Sequence, residues 1–257
     1  MATVHYAVEG GVATLTLDAP ERRNALSAPL LRVLRDHLDS AEADPTVRAV
    51  VLSHVGPVFS SGMDLTQVSD VAEQDQPIRA FPVLLQRLWE FGKPVLARVD
   101  GKARAGGIGL VAVCDIVLAT AASDFAFTEV RLGLVPAVIS VPLLKQLSPR
   151  EAMELLLTGE TFGAERARQL GLINSVCADV AALDLELTRY LQLLRLGEPG
   201  ALAATKIMAR RDRSGVDMAE DFAAMSELSA GFFAGPQAAE GIAAFAAKRR
   251  PRWAEGD

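Results

Sequence analysis

The first half of the chain alternates β-rich runs with amphipathic helical segments. Two β-rich runs, Val4 to Ala7 and Val12 to Leu17, are separated by Glu9-Gly-Gly11, which predicts a hairpin. Ser27 precedes a segment with leucines on one helical face, so we expect an N-capped helix there. A strand is predicted over Val47 to Ser53. This succession of strands and helices is typical of an α/β protein.

Two small-residue breaks stand out within this pattern. Phe59-Ser-Ser-Gly-Met-Asp-Leu65 and Gly101-Lys-Ala-Arg-Ala-Gly-Gly107 each follow a β-rich run, and the second leads into an apolar helical segment from Ile108 to Cys114. A helix N-terminus presents free N–H groups and a positive dipole end, which suit a developing anion. Two such loops that faced each other would form an oxyanion hole. Their spacing alone leaves ordinary strand-to-helix turns as the alternative.

The rest of the pattern predicts the domain organisation. Residues 66–79 are polar and acidic, and we interpret them as a surface segment and a possible lid over a pocket. A helix is predicted from Phe81 to Phe91, and a late strand from Leu172 to Val176. We therefore predict a mixed core over residues 1–195, followed by a helical segment over residues 196–257 that belongs to the same functional domain.

Composition and charge narrow the classes of function. Half of the 257 residues are hydrophobic, and the net charge of −6 with a pI near 5.2 argues against a nucleic-acid partner. Cys114 and Cys177 lie in apolar surroundings, as expected of reduced thiols in a cytoplasmic protein. No apolar run reaches the roughly 18 residues of a membrane span, and we expect neither membrane association nor a secretion signal. His5, His37 and His54 lack any metal-ligand spacing, so no metal site is predicted.

Several motifs occur in order along the chain: Glu21-Arg-Arg-Asn-Ala-Leu26, Phe59 to Leu65, Gly101 to Gly109, Cys114-Asp-Ile116, Thr158-Gly159 and a tail from Glu240 to Arg249. Together they resemble the crotonase superfamily of enoyl-CoA hydratases and isomerases. The resemblance implies an α/β fold, a crotonase-like spiral of β-β-α turns with a helical C-terminal trimerisation segment. It also implies a homotrimer or hexamer and an acyl-CoA thioester as substrate. No cofactor is expected, since coenzyme A is part of the substrate.

The same resemblance assigns roles to particular residues. The backbone N–H groups of Met63 and Gly106 would hold the thioester oxygen, where fixed dipoles stabilise an enolate. Arg22 and Arg23 stand where basic residues of the family often approach the phosphates of coenzyme A. The full set of substrate-binding residues that we expect is Arg23, Ala25, Met63, Asp64, Leu65, Gly106 and Lys248.

The acid/base residue is the point at which this chain departs from the family pattern. Hydratases of the family commonly carry two glutamates; here the first position is Gly109 and the second is Glu129. One carboxylate suits the shift of a double bond, whereas the segment Leu132 to Ser140 resembles hydratases of branched glutaconyl-type thioesters. We therefore name hydration of a 2-enoyl-CoA first. Isomerisation of a 3-enoyl-CoA and a non-catalytic CoA-ester binder are the alternatives.

Three charged residues near these motifs have more than one interpretation. Glu129 lies among apolar neighbours that would raise its pKa, or it is an ordinary glutamate paired with Arg131. Arg104 either meets a substrate carboxylate or pairs with a buried acid, and we favour the second interpretation. Asp115, between a helix and a strand, is expected to cap or pair locally.

Overall fold

The computed structural model describes residues 3–64, 77–211, 231 and 235–254. Two compact units are present, residues 1–190 and residues 191–257. The predicted domain boundary after residue 195 stays a prediction.

The strands are β1 (Thr3–Glu9), β2 (Val12–Asp18), β3 (Ala49–His54), β4 (Val58–Ser60), β5 (Val95–Val99), β6 (Lys102–Arg104), β7 (Ile116–Thr120), β8 (Asp124–Ala126), β9 (Phe162–Gly163) and β10 (Ser175–Cys177). The helices are α1 (Ala28–Ala43), α2 (Pro77–Glu90), α3 (Gly106–Val113), α4 (Ala137–Leu143), α5 (Pro149–Thr158), α6 (Ala164–Gln169), α7 (Val180–Leu196), α8 (Pro199–Arg210) and α9 (Pro236–Ala246).

The first unit contains two sheets built by a repeated strand–strand–helix turn. In the larger sheet the order is β1-β2-β3-β5-β7-β10, and in the smaller sheet it is β4-β6-β8-β9. Each successive pair, β3 with β4, β5 with β6 and β7 with β8, places one strand in each sheet before the chain passes into a helix. This arrangement is the predicted spiral of β-β-α turns.

The position of a strand in the larger sheet explains its burial pattern. β2 pairs antiparallel with β1 and alternates between half-buried and buried residues, whereas β3 is buried along its whole length. β3 has parallel neighbours on both sides, β2 and β5, and parallel strands are usually covered on both faces. The continuous apolar run in β3 is therefore a requirement of its place in the sheet.

The structure confirms the predicted N-cap of α1 and corrects the predicted start of α2. The Ser27 hydroxyl caps α1 by accepting from Leu30 N at 3.4 Å, and the leucines of α1 are buried. Helix α2 begins at Pro77, so the last residues of the predicted surface segment are helical and the predicted start at Phe81 is wrong. Proline at a first helical position lacks only an N–H that would be unsatisfied there. Residues 66–76 of that segment lie outside the described residues.

The predicted late strand is displaced along the chain. Strand β10 covers Ser175–Cys177, whereas Leu172 and Ile173 lie in a turn where both main-chain N–H groups donate to Ala167 O. These two side chains are buried in the core, and burial alone made the segment resemble a strand. Their backbone is satisfied by the end of α6 instead of by a sheet.

The second unit is helical in its described parts, as the sequence predicts. Trp253 Nε1 donates to Leu196 O at 3.0 Å, and Arg249 Nη1 lies 2.8 Å from Glu240 Oε1. That ion pair lowers the pKa of the Glu240 carboxyl to about 2, chiefly through the hydrogen bond from Arg249. The trimerisation role of this unit stays a prediction. No helix in the described parts of the chain is long and apolar enough to cross a membrane.

Candidate active site

Three neighbouring strands bring the predicted site residues to one edge of the smaller sheet. Strands β4, β6 and β8 are parallel and adjacent, so their carboxyl ends lie at the same edge. Met63 follows β4, Gly106 begins α3 directly after β6, and Glu129 opens a short 3-10 helix after β8. Ligands of parallel sheets bind outside the carboxyl ends of strands. The fold therefore gathers the residues that the sequence singled out.

The first glycine loop directs the N–H group of Met63 away from Leu26, the residue with which Met63 is paired. Leu26 N donates to Gly62 O at 2.8 Å, and Leu26 O accepts from Asp64 N at 3.2 Å. These bonds form a parallel bridge between Leu26 and Met63 that uses the residues on either side of Met63. In such a pairing the middle residue directs its own N–H to the opposite side. Among the described residues, the Met63 N–H has no hydrogen-bond partner.

The second loop turns sharply from β6 into α3 at a strained residue. Ala105 has φ 47° and ψ −120°, a backbone conformation that non-glycine residues rarely adopt. Its N–H donates to Ala126 O, and its carbonyl accepts from Ile108 N and Gly109 N. Such strain costs about 1–3 kcal/mol and concentrates at functional sites. The turn leaves Gly106 as the first residue of α3, where an N–H has no carbonyl one turn earlier to bond.

The two loops pack backbone against backbone, which only glycine permits. A Cβ atom added to Gly62, at φ 89°, would lie 3.0 Å from Ala105 Cβ and 3.1 Å from Gly106 N. A Cβ atom added to Gly107 would lie 2.6 Å from Ser60 O. The loops are therefore adjacent, as an oxyanion hole requires, and the roles of the Met63 and Gly106 amides stay a prediction.

Glu129 is a half-buried carboxylate with an unsatisfied oxygen. Its Oε2 atom is buried and has no hydrogen-bond partner among the described residues. Burial raises the pKa of Glu129, against a smaller lowering by its own backbone N–H. Arg131 does not pair with it, because the guanidinium Nε and Nη2 both donate to Thr158 O at 3.3 Å. The interpretation of Glu129 as a partner of Arg131 is wrong.

The position of the family's first glutamate is filled by other side chains. A Cβ atom added to Gly109 would lie 2.7 Å from Ile139 Cγ2 and 3.2 Å from Phe81 Cζ. Both side chains are buried, at 2% and 1% exposure, so neither can swing into solvent to make room. Sequence reasoning found the glycine and missed Phe81 and Ile139, because their contact with it depends on the packing of α2 and α4 on α3.

The predicted contacts with coenzyme A are only partly brought together. Asp64 is 7% exposed, and its Oδ2 lies 3.3 Å from Nη1 of Arg22, which is half exposed. Arg23 is exposed at φ 55°, and its carbonyl accepts from Ser61 N. Ala25 lies in the same turn and donates to Arg22 O. These residues therefore border the first glycine loop.

Two other predicted contacts, Lys248 and Leu65, do not belong to the described part of the first unit. Lys248 is exposed and lies in the second unit. Leu65 lies outside the described residues. Both assignments stay predictions.

The other charged candidates have local partners, as expected. Arg104 pairs with Asp124 and also donates to its carbonyl, and Val95 N donates to Asp115 Oδ2 at 2.7 Å. His54 is buried and its Nε2 accepts from Asp100 N at 2.9 Å. Across residues 3–64, 77–211 and 235–254, no three His, Cys, Asp or Glu side chains cluster as metal ligands would. These groups therefore hold the fold together around the site.

An apolar groove of about 560 Å³ lies between α2 and α4. Leu85 and Trp89 line it from α2, Val138 and Val141 from α4, and Val113 from the end of α3. The same helices supply the side chains that fill the space beside Gly109. A mostly apolar groove suits a hydrocarbon part of a ligand.

Comparisons with known proteins agree with this geometry. The family described as enoyl-CoA hydratase/isomerase matches residues 7–256. The chain is 33% identical over 246 residues to 2,3-dehydroadipyl-CoA hydratase of Escherichia coli, covering 93% of this chain and 94% of that protein. It is 32% identical over 252 residues to the mitochondrial enoyl-CoA hydratase domain-containing protein 3 of Danio rerio, covering 97% and 86%.

Solved structures lead to the same family. An enoyl-CoA hydratase/isomerase from Marinobacter aquaeolei superposes with a TM-score of 0.90 at 30% identity, covering 98% of this chain and 99% of that one. An enoyl-CoA hydratase from Mycobacterium smegmatis gives a TM-score of 0.89 at 32% identity, with the same coverage of 98% and 99%.

Proposed function

Since the chain belongs to the enoyl-CoA hydratase/isomerase family, we propose that it hydrates a 2-enoyl thioester of coenzyme A. Glu129 acts as the single acid/base, and the N–H groups of Met63 and Gly106 bind the thioester oxygen. The hydratase names of relatives near a third identical in sequence support hydration over the other family activities.

One carboxylate can carry out the whole addition. Glu129, ionised at the start, takes a proton from water as the water oxygen bonds to C3 of the enoyl group. The π electrons move onto the thioester oxygen, where the two amides hold the negative charge. Glu129 then delivers the same proton to C2, so that water is added across the double bond and the carboxylate is restored.

The observation that carries this proposal is the unpaired oxygen of Glu129. A general base needs a free lone pair and a pKa moved towards neutrality, and burial supplies the second without a competing cation. A carboxylate whose oxygens were all bonded to Arg131 would offer neither. General acid/base catalysis of this kind contributes roughly 10²–10⁴-fold in rate.

Isomerisation of a 3-enoyl-CoA is the second candidate, and the filled space beside Gly109 favours it. Ile139 and Phe81 leave no room there for a second carboxylate that would align a water molecule. In this reaction Glu129 removes a proton from C2 to give a dienolate whose oxygen the same two amides hold, and the proton returns at C4, which leaves the double bond conjugated with the thioester. Both reactions use the same amides and the same carboxylate.

A single absorbance assay separates these activities from a third possibility, a non-catalytic CoA-ester binder. Purified protein is mixed with a 2-enoyl-CoA and, separately, with a 3-enoyl-CoA, and the absorbance of the conjugated thioester is followed. Loss of absorbance with the first supports hydration, and gain with the second supports isomerisation. Tight binding with no change in either mixture contradicts both.

The remaining expectations complete the proposal. Arg23, Ala25, Asp64, Leu65 and Lys248 contact the coenzyme A part of the thioester, and no further cofactor takes part. The protein assembles as a homotrimer or hexamer, both of which are closed symmetric assemblies. A cytoplasmic location is proposed from the reduced cysteines, although the Danio rerio relative is described as mitochondrial.

A further inference from the structure

Asn24 is fully buried beside the first glycine loop, and its side chain bonds three backbone groups in two segments of the chain. Its Oδ1 accepts from Ala19 N at 2.8 Å, and its Nδ2 donates to Val55 O at 3.0 Å and to Val58 O at 2.7 Å. Its backbone is left-handed, at φ 51°, a conformation that asparagine tolerates better than most residues. Asn24 therefore ties the turn before α1 to both ends of the segment that leads into β4.

Ser60, also fully buried, links Asn24 to the loop. Its hydroxyl donates to Asn24 O at 2.8 Å and accepts from Gly62 N at 3.2 Å. Its carbonyl lies so close to α3 that a Cβ atom on Gly107 would come within 2.6 Å of it. One serine thus touches both loops, through its hydroxyl on the first and through its backbone on the second.

We infer that Asn24 and Ser60 are positioning residues, which set the spacing between the N–H groups of Met63 and Gly106. This inference rests on the proposed oxyanion hole. The hydroxyl of Ser60 holds Gly62 N, and Gly62 precedes Met63 directly, so the direction of the Met63 amide depends on that bond. An oxyanion hole loses most of its effect when a donor is misdirected, because the donors act by being fixed in advance.

The test uses the Ser60→Ala variant and a matched control, Ser123→Ala. Ser123 is equally buried at 1% exposure and makes the same kinds of bond, since its hydroxyl donates to Val99 O and accepts from Gly101 N at 3.1 Å. It lies in the turn between β7 and β8 and touches the second loop at Gly101, which strand β6 separates from Gly106 along the chain. A loss of stability alone would therefore affect both variants.

The readout is the absorption band of a bound cinnamoyl-type CoA thioester with an amino substituent on the ring. Hydrogen bonds to its thioester oxygen move this band to longer wavelength, and turnover is prevented by working in a Glu129→Gln background. We expect Ser60→Ala to bind the probe within about twofold of the parent protein but to lose most of the band shift. In the otherwise native enzyme, kcat falls about tenfold to a hundredfold with little change in KM, less than or comparable to the removal of one donor.

The control variant Ser123→Ala keeps the full band shift and kcat. A full band shift and an unchanged kcat in Ser60→Ala would overturn the inference and leave the proposed function standing. A parent protein that binds the probe with no band shift would instead overturn the oxyanion hole itself. If Ser60→Ala does not fold, Ser60→Cys replaces it, because its thiol weakens both bonds without removing them, and a smaller loss of the band shift is then expected.

Discussion

The contact between Gly109 and Ile139 makes a prediction that can be worked out in free energy. Gly109→Ala adds a Cβ atom 2.7 Å from Ile139 Cγ2, and forcing an extra carbon into a packed core costs about 1–3 kcal/mol. Alanine in place of glycine within α3 recovers about 1 kcal/mol of helix propensity. The net effect on the free energy of unfolding is a loss of about 0–2 kcal/mol.

Ile139→Ala removes the methyl group that the new carbon would meet. Ile139 is 2% exposed, so this truncation alone costs about 2–5 kcal/mol by lost burial and by the cavity that remains. In the double variant the added carbon no longer collides and partly fills that cavity. We therefore expect the double variant to be more stable than the sum of the single losses by about 1–3 kcal/mol, a range typical of residues in contact.

The measurement is denaturant unfolding of the parent, the two single variants and the double variant. All four are compared at one protein concentration, since association between copies would add to the apparent stability. Gly107→Ala with Ile139→Ala serves as a control pair, because the added carbon at residue 107 meets Ser60 instead. Losses at residues 109 and 139 that add within about 0.5 kcal/mol would refute the conclusion that Ile139 fills this space.

Three further predictions concern the site itself. Glu129→Gln lowers kcat roughly 10²–10⁴-fold while CoA-ester binding persists, and a variant with the native rate would remove Glu129 from the mechanism. Because burial raises the pKa of Glu129 in the folded protein, its contribution to stability is complete below the unfolded pKa and is lost as the pH rises through the folded one. Glu129→Gln therefore gains stability relative to the native protein between acidic and neutral pH in thermal melts, and a pH-independent difference would contradict the burial argument. Arg22→Ala leaves the buried carboxylate of Asp64 without this cation and destabilises the protein more than Arg22→Ala combined with Asp64→Asn, as a double-variant unfolding series measures.

Local patterns in the sequence predict much of the fold. The hairpin of β1 and β2, the cap of α1 at Ser27 and the spiral of β-β-α turns follow from periodicity, from capping chemistry and from the family resemblance. The strand prediction is wrong where side chains are buried but their backbone pairs with no strand. Leu172 and Ile173 are the example. Periodicity reports which side chains are covered and carries no information about what the backbone bonds to.

The candidate site was predictable where one residue type suffices and not where distant elements meet. Gly62 and Gly106 lie in small-residue breaks that follow β-rich runs, and the family resemblance singles out these glycines and Glu129. The strained backbone of Ala105 was not predictable, because non-glycine residues rarely adopt a φ of 47°. The hydrogen bonds of Asn24, and the contacts of Phe81 and Ile139 beside Gly109, join segments far apart in the chain. No local pattern in the sequence encodes them.

The filled space beside Gly109 affects how a water molecule could be oriented beside Glu129. With a second glutamate, a water molecule would have two anchors, and Glu129 would only have to move a proton. Here Ile139 and Phe81 form an apolar wall at that place, so a water molecule must be oriented by Glu129 itself and by the substrate. Burial keeps the Glu129 carboxylate desolvated and its pKa raised, which strengthens it as a base once it is ionised. In the proposed mechanisms, hydration and isomerisation differ in the atom that gives Glu129 its proton and in the carbon that receives it, which is C2 in the first and C4 in the second.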